Sequence, residues 1–180
     1  MKSKTIVFTK PKTAELLEKD IKEVSGNLVK VKMEYTVVSG GTERACIMGM
    51  NNTYQKFPMS LGYCGVGYVV ETGDKVEKIK TGDRVLVYHG IHTEYNIVPE
   101  NDVTKVDDEN IDSLDAAFVV IASMGLGGVR KLELELGESA MVMGLGILGQ
   151  LLGHSGSSTG AGHTAAFGLN NVPGELTLGV

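Results

Sequence analysis

Residues 27–38 carry the most regular pattern in the chain: Val29, Val31, Met33, Tyr35 and Val37 alternate with Lys30, Lys32, Glu34 and Thr36. A strict period of two turns one side of a strand toward a core and the other toward water. A second alternation, through Val66, Tyr68 and Val70 within residues 62–71, predicts another strand. Its Gly65 and Gly67 imply a bulge or a close approach of backbones. Shorter β-rich runs at residues 5–9, near Val76, at 84–88 and at 92–98 are set off by Pro11, Gly73-Asp74 and Gly82-Asp83. Short strands at this turn spacing predict a small barrel or sandwich. After the first long strand, Ser39-Gly40-Gly41-Thr42-Glu43 makes a turn into a short helical piece ending near Met48.

The period changes after Val106. Leu114, Ala117, Phe118 and Ile121 follow helical spacing behind Ser113, a candidate N-cap. A second helical piece over 126–134 carries Val129 with Arg130, Lys131 and Glu133, and Gly137 separates it from the apolar run Ala140 to Met143. That run meets Gly144, Gly146 and Gly149, a G-x-G-x-x-G directly after a strand. In dinucleotide-binding units the first glycine makes a tight turn, the second lets backbone approach a pyrophosphate, and the third lets the next helix pack closely. The motif also requires a helix after its last glycine and an acidic residue roughly 20 positions on. The sequence argues against both. Gly153, Gly156, Gly160 and Gly162 stand where the helix should run, each costing about 1 kcal/mol relative to Ala, and no acid lies near residues 166–168.

Residues 151–180 hold no Lys or Arg and only one acid, Glu175; seven of these 30 residues are glycine, against 17 of the first 150. That composition reads as a flexible linker. It also fits a stretch translated out of frame, because Gly153 to Ser158 can be encoded so that a one-nucleotide shift reads Ala-Ile-Gln-Ala-Ala; a natural or engineered terminus is the alternative. The expected organisation is a β domain at 1–110, connector helices with the first α/β strand and turn at 111–150, and a glycine-rich tail at 151–180.

With 42% hydrophobic and 22% charged residues the chain has the composition of a globular protein with a real core. Its net charge of −5 speaks against nucleic acid and anionic membrane as partners. Two cysteines, Cys46 and Cys64, make no disulfide framework and fit a reducing cytosol. Ile6-Val7-Phe8 is too short a run for a signal peptide, and nothing reaches the ~20 apolar residues of a membrane-spanning helix. A cytoplasmic location is expected.

S-G-G-T-E at residues 39–43, L-G-Y-C-G-V-G at 61–67, V-E-T-G at 70–73, T-G-D-R-V at 81–85 and the glycine fingerprint stand in an order that resembles the medium-chain dehydrogenase/reductase superfamily. The resemblance covers residues 4–150. It implies a mainly β chain with an α/β remnant: a GroES-like β-barrel, connector helices and a truncated Rossmann unit. S-G-G-T-E and the H-T-E-Y run at 92–95 look most like zinc-less members, including relatives of bacteriochlorophyllide dehydrogenases. Such proteins pass hydride between NAD or NADP and an alcohol, aldehyde, ketone or enone. The resemblance and the tail together imply a chain that is inactive as it stands; the rival expectation is a non-catalytic β-barrel interaction module or pseudoenzyme fragment.

The family's three catalytic zinc ligands would correspond here to Gly40, Tyr63 and a position near Val119, and the four-cysteine lobe for structural zinc is missing, so no zinc is expected. Without it, preorganised donors must carry the developing oxyanion charge. Tyr63, where the family has a histidine, and Thr42, where it has a proton-relay hydroxyl, are the catalytic candidates. Their structural alternatives are a barrel tyrosine with its tip in water and a helix-capping threonine. Glu43 is read as complementing the helix N-terminus, Cys64 as a small buried hydrophobe, and His89 and His92 as surface histidines. Gly144, Gly146 and Gly149 are the cofactor-binding candidates. If no further Rossmann half covers them, Leu126, Val129 and the strand at 140–143 are left exposed, which predicts homo-oligomers or aggregates.

Overall fold

The computed structural model describes residues 1–158 and 163–167 apart from 55, 134, 136 and 137, with side chains described as far as Gly153. The chain forms two compact units, Met1–Phe118 and Val119–Val180.

In the first unit β1 (Lys2–Lys10) and β2 (Thr13–Asp20) form an antiparallel hairpin, Lys2 opposite Asp20 and Phe8 opposite Ala14. Strand β2 was not legible in the sequence. Its T-A-E-L-L-E-K-D has no alternation because both of its sides are largely wet; pairing with β1 makes it a strand. The main sheet holds β3 (Leu28–Val37), β4 (Cys64–Thr72), β5 (Arg84–Tyr88), β6 (Tyr95–Pro99) and β7 (Val103–Lys105) in the order β6-β3-β4-β5-β7, antiparallel throughout. Bridges between Thr5 and Thr93 and between Phe8 and Met59 tie the hairpin to this unit. The core is valine-built: Val29, Val31, Val69, Val85, Val87 and Val98 pack together with Ile79 and Val103. No strand forms at Val76, which packs against this core from a loop instead.

The two long strands depart from the expected alternation at two irregularities. Between Met33 and Tyr35 the register to β4 slips, leaving Glu34 without an opposite residue. Such a bulge reverses the side that follows it. Tyr35, expected inside, is 46% exposed, and Thr36, expected outside, turns inward. A second slip between Lys30 and Val31 passes over Val70. Tyr68 and Val70 are therefore exposed while Val69 is buried, and Lys30 is buried beside its partner Glu71. The expected close backbone approach is present: a Cβ on Gly65 would lie 2.2 Å from the Tyr35 carbonyl oxygen, and one on Gly67 2.2 Å from that of Lys32.

Helix α1 (Gly40–Ile47) follows β3 directly. Cys46 packs with Phe8 and Met59 in a small second cluster. Helix α2 (Ser113–Ala117) packs on β3 and β4. Its N-cap is Asp112, whose carboxylate accepts from the Leu114 N–H at 2.7 Å, one residue before the expected Ser113. Asp is as good a cap as Ser and stands at the last extended residue.

The second unit begins with α3 (Val119–Lys131), a longer helix than the expected piece at 126–134. Strand β8 (Ser139–Met143), helix α4 (Ile147–Ser158) and strand β9 (His163–Phe167) follow, with β9 parallel to β8, Ser139 opposite His163 and Met143 opposite Phe167. This corrects the expectation of no helix after the glycine fingerprint. Apolar Ile147, Leu148, Leu151 and Leu152 open α4, and it packs on α3 where Gly125 and Gly128 admit close approach: a Cβ on Gly128 would lie 3.1 Å from the Leu152 side chain. Packing of Leu151 and Leu152 against α3 offsets the helix penalties of Gly153 and Gly156, ~1 kcal/mol each. Leu126 and Met141 are exposed as expected, but Val129 is buried. The linker and out-of-frame readings of residues 168–180, and the break at Gly137, lie outside the described residues.

Candidate active site

The candidate site in the first unit is built where α1 leaves β3. Helix α1 starts poorly by itself. Gly40 and Gly41 occupy its first two positions, each costing about 1 kcal/mol against Ala, and the N-cap residue Ser39 makes no side-chain cap bond. Glu43 closes the turn instead: its Oε1 accepts from the Ser39 N–H at 2.7 Å. Its other oxygen, Oε2, lies 2.8 Å from His92 Nε2, and His92 Nδ1 lies 2.8 Å from the Thr36 hydroxyl. Glu43 and His92 are 6% and 5% exposed. Sequence reasoning therefore missed the role of His92, which is no surface histidine, and gave Glu43 only half of its role. The signal was present as two separate runs, S-G-G-T-E and H-T-E-Y, but only the fold pairs them, and Thr36 joins only because the bulge turns it inward.

His89 is the surface residue that His92 is not. It bonds Asp102 at 3.2 Å and stacks on Tyr88, ring centroids 3.6 Å apart. The H-x-x-H spacing thus sends its two rings to different carboxylates, and among the described residues no group of three or more His, Cys, Asp or Glu is placed to hold a metal ion.

Thr42 is exposed on the first turn of α1, beside Glu43 in sequence. Tyr63 is half-buried immediately before β4. Its hydroxyl donates to that of Tyr88 at 3.1 Å, and the two rings meet edge to face with centroids 5.1 Å apart. Desolvation, then the bond to Tyr88 and the neighbouring Tyr88 and Cys64 charges, push the Tyr63 phenol up to about 12. At neutral pH it is a hydrogen-bond donor that keeps its proton. Cys64 is buried, with its Sγ directed at the Ala117 carbonyl at 3.8 Å. Burial, then the charge of Glu43, raise the thiol to about 11. The thiol is a space-filling group and no nucleophile.

The turn before Tyr63 is locked to the His92 segment. The His92 N–H donates to the Leu61 carbonyl at 2.8 Å. Gly62, at φ +141°, lies so close to residues 91 and 92 that a Cβ would stand 2.5 Å from the Ile91 Cα.

The glycine fingerprint lies in the second unit and is described by itself. Gly144 has φ +102°, which a residue with a Cβ adopts only under strain. Gly146 faces open space, nothing lying within 4 Å of where its Cβ would be. A Cβ on Gly149 would stand 1.8 Å from the Gly144 carbonyl oxygen. Tight turn, open backbone and close helix are the three features a pyrophosphate-binding turn needs. The turn therefore fits the phosphates of a dinucleotide, with the first amides of α4 beside it. No Asp or Glu occurs between Glu138 and Glu175, so the acid that would bind an adenosine ribose is missing from the end of β9.

Residues 25–108 match the family described as the alcohol dehydrogenase GroES-like domain. Among curated proteins, the uncharacterized zinc-type alcohol dehydrogenase-like protein YdjJ of Escherichia coli is 24% identical, the match covering 83% of this chain and 52% of that one. (R,R)-butanediol dehydrogenase of Bacillus subtilis is 29% identical over 61% of this chain and 39% of its own. The chain thus spans about half, or less, of the length of these relatives. Of solved structures, CAD from Helicobacter pylori, complexed with NADP(H), superposes with a TM-score of 0.82 at 18% identity, over 94% of this chain and 60% of that one. 2R,3R-butanediol dehydrogenase from Bacillus subtilis gives 0.78 at 22%, over 91% and 57%. The antiparallel sheet of the first unit and the domain match at residues 25–108 together make this part of the chain an alcohol dehydrogenase GroES-like domain, and the fold is that of the dehydrogenase structures it superposes on.

Proposed function

We propose that the protein is an NAD(P)-dependent oxidoreductase of the alcohol dehydrogenase-like type that works without zinc on a small alcohol or carbonyl compound. The observation that carries the reading is the glycine turn: Gly144 at positive φ, Gly146 open, Gly149 forced against the Gly144 carbonyl, all between a parallel strand pair and a helix. A bound nicotinamide would supply the hydride. The chain's own residues have two other tasks. The backbone from Gly144 to Gly149 and the start of α4 hold the pyrophosphate. Tyr63, a neutral donor whose phenol keeps its proton, turns its O–H from Tyr88 to the substrate oxygen, and Thr42 offers a second hydroxyl. Zinc fits poorly at the expected ligand positions. Gly40 has no side chain, Val119 is aliphatic, and the Tyr63 phenol is held protonated, whereas a zinc ligand must be a deprotonated thiolate, imidazole nitrogen or carboxylate.

By itself the 180-residue chain is expected to bind the cofactor weakly and not to turn over. The ribose acid is missing, and hydrogen bonds to such a charged group contribute about 1.5–3 kcal/mol. Catalysis also needs the nicotinamide held in a near-attack position, and no residues assigned to that task are described. The test is an amide NMR titration with NADH and with NADPH at millimolar concentration. Shifts confined to residues 144–150, abolished by Gly146→Asp, support the reading. Silence at that turn leaves a non-catalytic interaction module as the better reading. Micromolar binding by calorimetry, or saturable turnover on a carbonyl panel, would refute the expected inactivity. Stoichiometric zinc in protein purified without chelator would refute zinc independence.

A further inference from the structure

We infer that Glu43 and His92 are positioning residues: with Thr36 they form a buried hydrogen-bonded latch that holds Thr42, on the first turn of α1, in fixed relation to the turn presenting Tyr63. The inference rests on the reading that Thr42 and Tyr63 face a substrate oxygen. Each end of the latch reaches one of them. Glu43 is the neighbour of Thr42 and closes the start of α1 through the Ser39 N–H at 2.7 Å. His92 holds the Leu61 carbonyl through its backbone N–H at 2.8 Å, and Gly62 packs on its backbone, so the approach to Tyr63 is set by where His92 sits. The imidazole bridges the two, 2.8 Å from Glu43 on one side and 2.8 Å from Thr36 on the other.

The donors and acceptors along Ser39, Glu43, His92 and Thr36 fix the position of one proton. Both Glu43 oxygens accept, one from Ser39 and one from His92, so His92 Nε2 carries a proton. In the neutral ring Nδ1 is then bare and accepts from the Thr36 hydroxyl. Nothing else described in α1 does the same work. Gly40 and Gly41 have open space around them, and the Ser39 side chain caps nothing. Loss of one member leaves the others buried and unsatisfied, which is costlier than the absence of all three. The β3 bulge at Glu34 has its purpose here, since a regular strand would leave Thr36 on the wet side.

Three measurements on the 180-residue protein test the latch without any cofactor. Nitrogen NMR of wild-type His92 is expected to show a proton on Nε2; a neutral ring protonated at Nδ1 alone overturns the inference. Glu43→Gln is expected to speed amide exchange in α1 roughly tenfold or more while amides of β3, β4 and β5 keep their protection. In the same variant Tyr63, faced by Tyr88 and Cys64, is expected to titrate closer to an ordinary tyrosine, as the turn that holds it against Tyr88 loosens. Unchanged α1 exchange and an unchanged Tyr63 titration in a folded variant overturn the inference. So does a uniform loss of protection across the sheet, which marks a merely structural role. Thr36→Ser is expected to keep the wild-type signature and Thr36→Val to lose it; this pair decides the matter if Glu43→Gln does not fold. A failed NADH titration would sink the proposed function and leave the latch standing, and the reverse also holds.

Discussion

Tyr63 and Cys64 are neighbours whose protons are both held by burial, and their chemistry differs from what bare side chains would show. The Cys64 thiol, raised to about 11 by burial and then by Glu43, should resist iodoacetamide at pH 8 in the folded protein and react promptly in urea. Fast labelling of the folded protein would mean that the strand β4 opens readily or that the thiol is not where it is described. The sign of the linkage follows from the raised value. The stability that the thiol contributes is complete below its ordinary value and is lost as pH climbs toward 11. The carboxylates Asp83 and Glu100 run the other way. The Lys80 N–H, then Lys105, hold Asp83 below the usual range, and the N–H groups of Lys78, Glu77 and Ile79 hold Glu100 there. Their contribution is present above ordinary carboxylate values and is lost as pH falls through their lowered ones. Thermal melting should therefore be flat near neutrality and decline on both the acid and the strongly alkaline side; a midpoint that rises below pH 4 would contradict this. Replacement of Val87, fully buried in the valine core, by Ala removes two methyl groups and should cost about 2 kcal/mol, measured by urea denaturation.

Element by element, partners rather than propensity decided the outcome. Glu100 shows how. Its Oε1 accepts from three successive N–H groups, at 3.0 Å from Glu77, 2.5 Å from Lys78 and 3.3 Å from Ile79. The loop that fails to become a strand at Val76 is thus tied to the 3₁₀ turn Glu100–Asp102. Glu100→Gln, which weakens a charge-assisted acceptor, should speed amide exchange over residues 77–79 while β5 stays protected. Equal protection in wild type and variant would show that Val76 and Ile79, packed in the core, hold the loop by themselves. Helix α4 is the second case. A Cβ at Gly149 would stand 1.8 Å from the Gly144 carbonyl oxygen, so Gly149→Ala must shift either β8 or α4. It should abolish NADH-induced shifts at residues 144–150 and reduce exchange protection in α4. A variant that keeps both would show that the turn is looser than its geometry.

At the scale of the whole molecule each unit carries its own consequence. The second exposes a run of large apolar side chains, Leu126, Met141, Met143, Ile147 and Leu148, between 40% and 71% accessible. Apolar surface of this kind favours association. Sedimentation velocity at rising concentration should show dimers or larger species; a single monomer boundary with no binding of a hydrophobic dye would contradict it. The first unit pairs its strands in an antiparallel hairpin and a five-stranded antiparallel sheet, with a valine core of its own.

Local chemistry sufficed for much of this protein. Residues 84–88 are a strand because valine and leucine flanked by Gly82-Asp83 leave little else to form. The strand and the glycine turn of the fingerprint were legible because each glycine meets a separate steric demand; the helix after them was not. Tertiary structure decided the rest. Strand β2 exists only through β1. Helix α4 exists through its burial on α3, an energy that no window of glycine-rich sequence contains. The bulges at Glu34 and Val70 depend on a register between strands, and a one-residue slip reverses every side chain after it. For that reason Thr36 was assigned to water, whereas His92, in the loop before β6, carries no local sign of its burial. The pairing of Glu43 with His92 links residues 49 positions apart, a distance over which only the fold brings a carboxylate to an imidazole and makes their burial affordable.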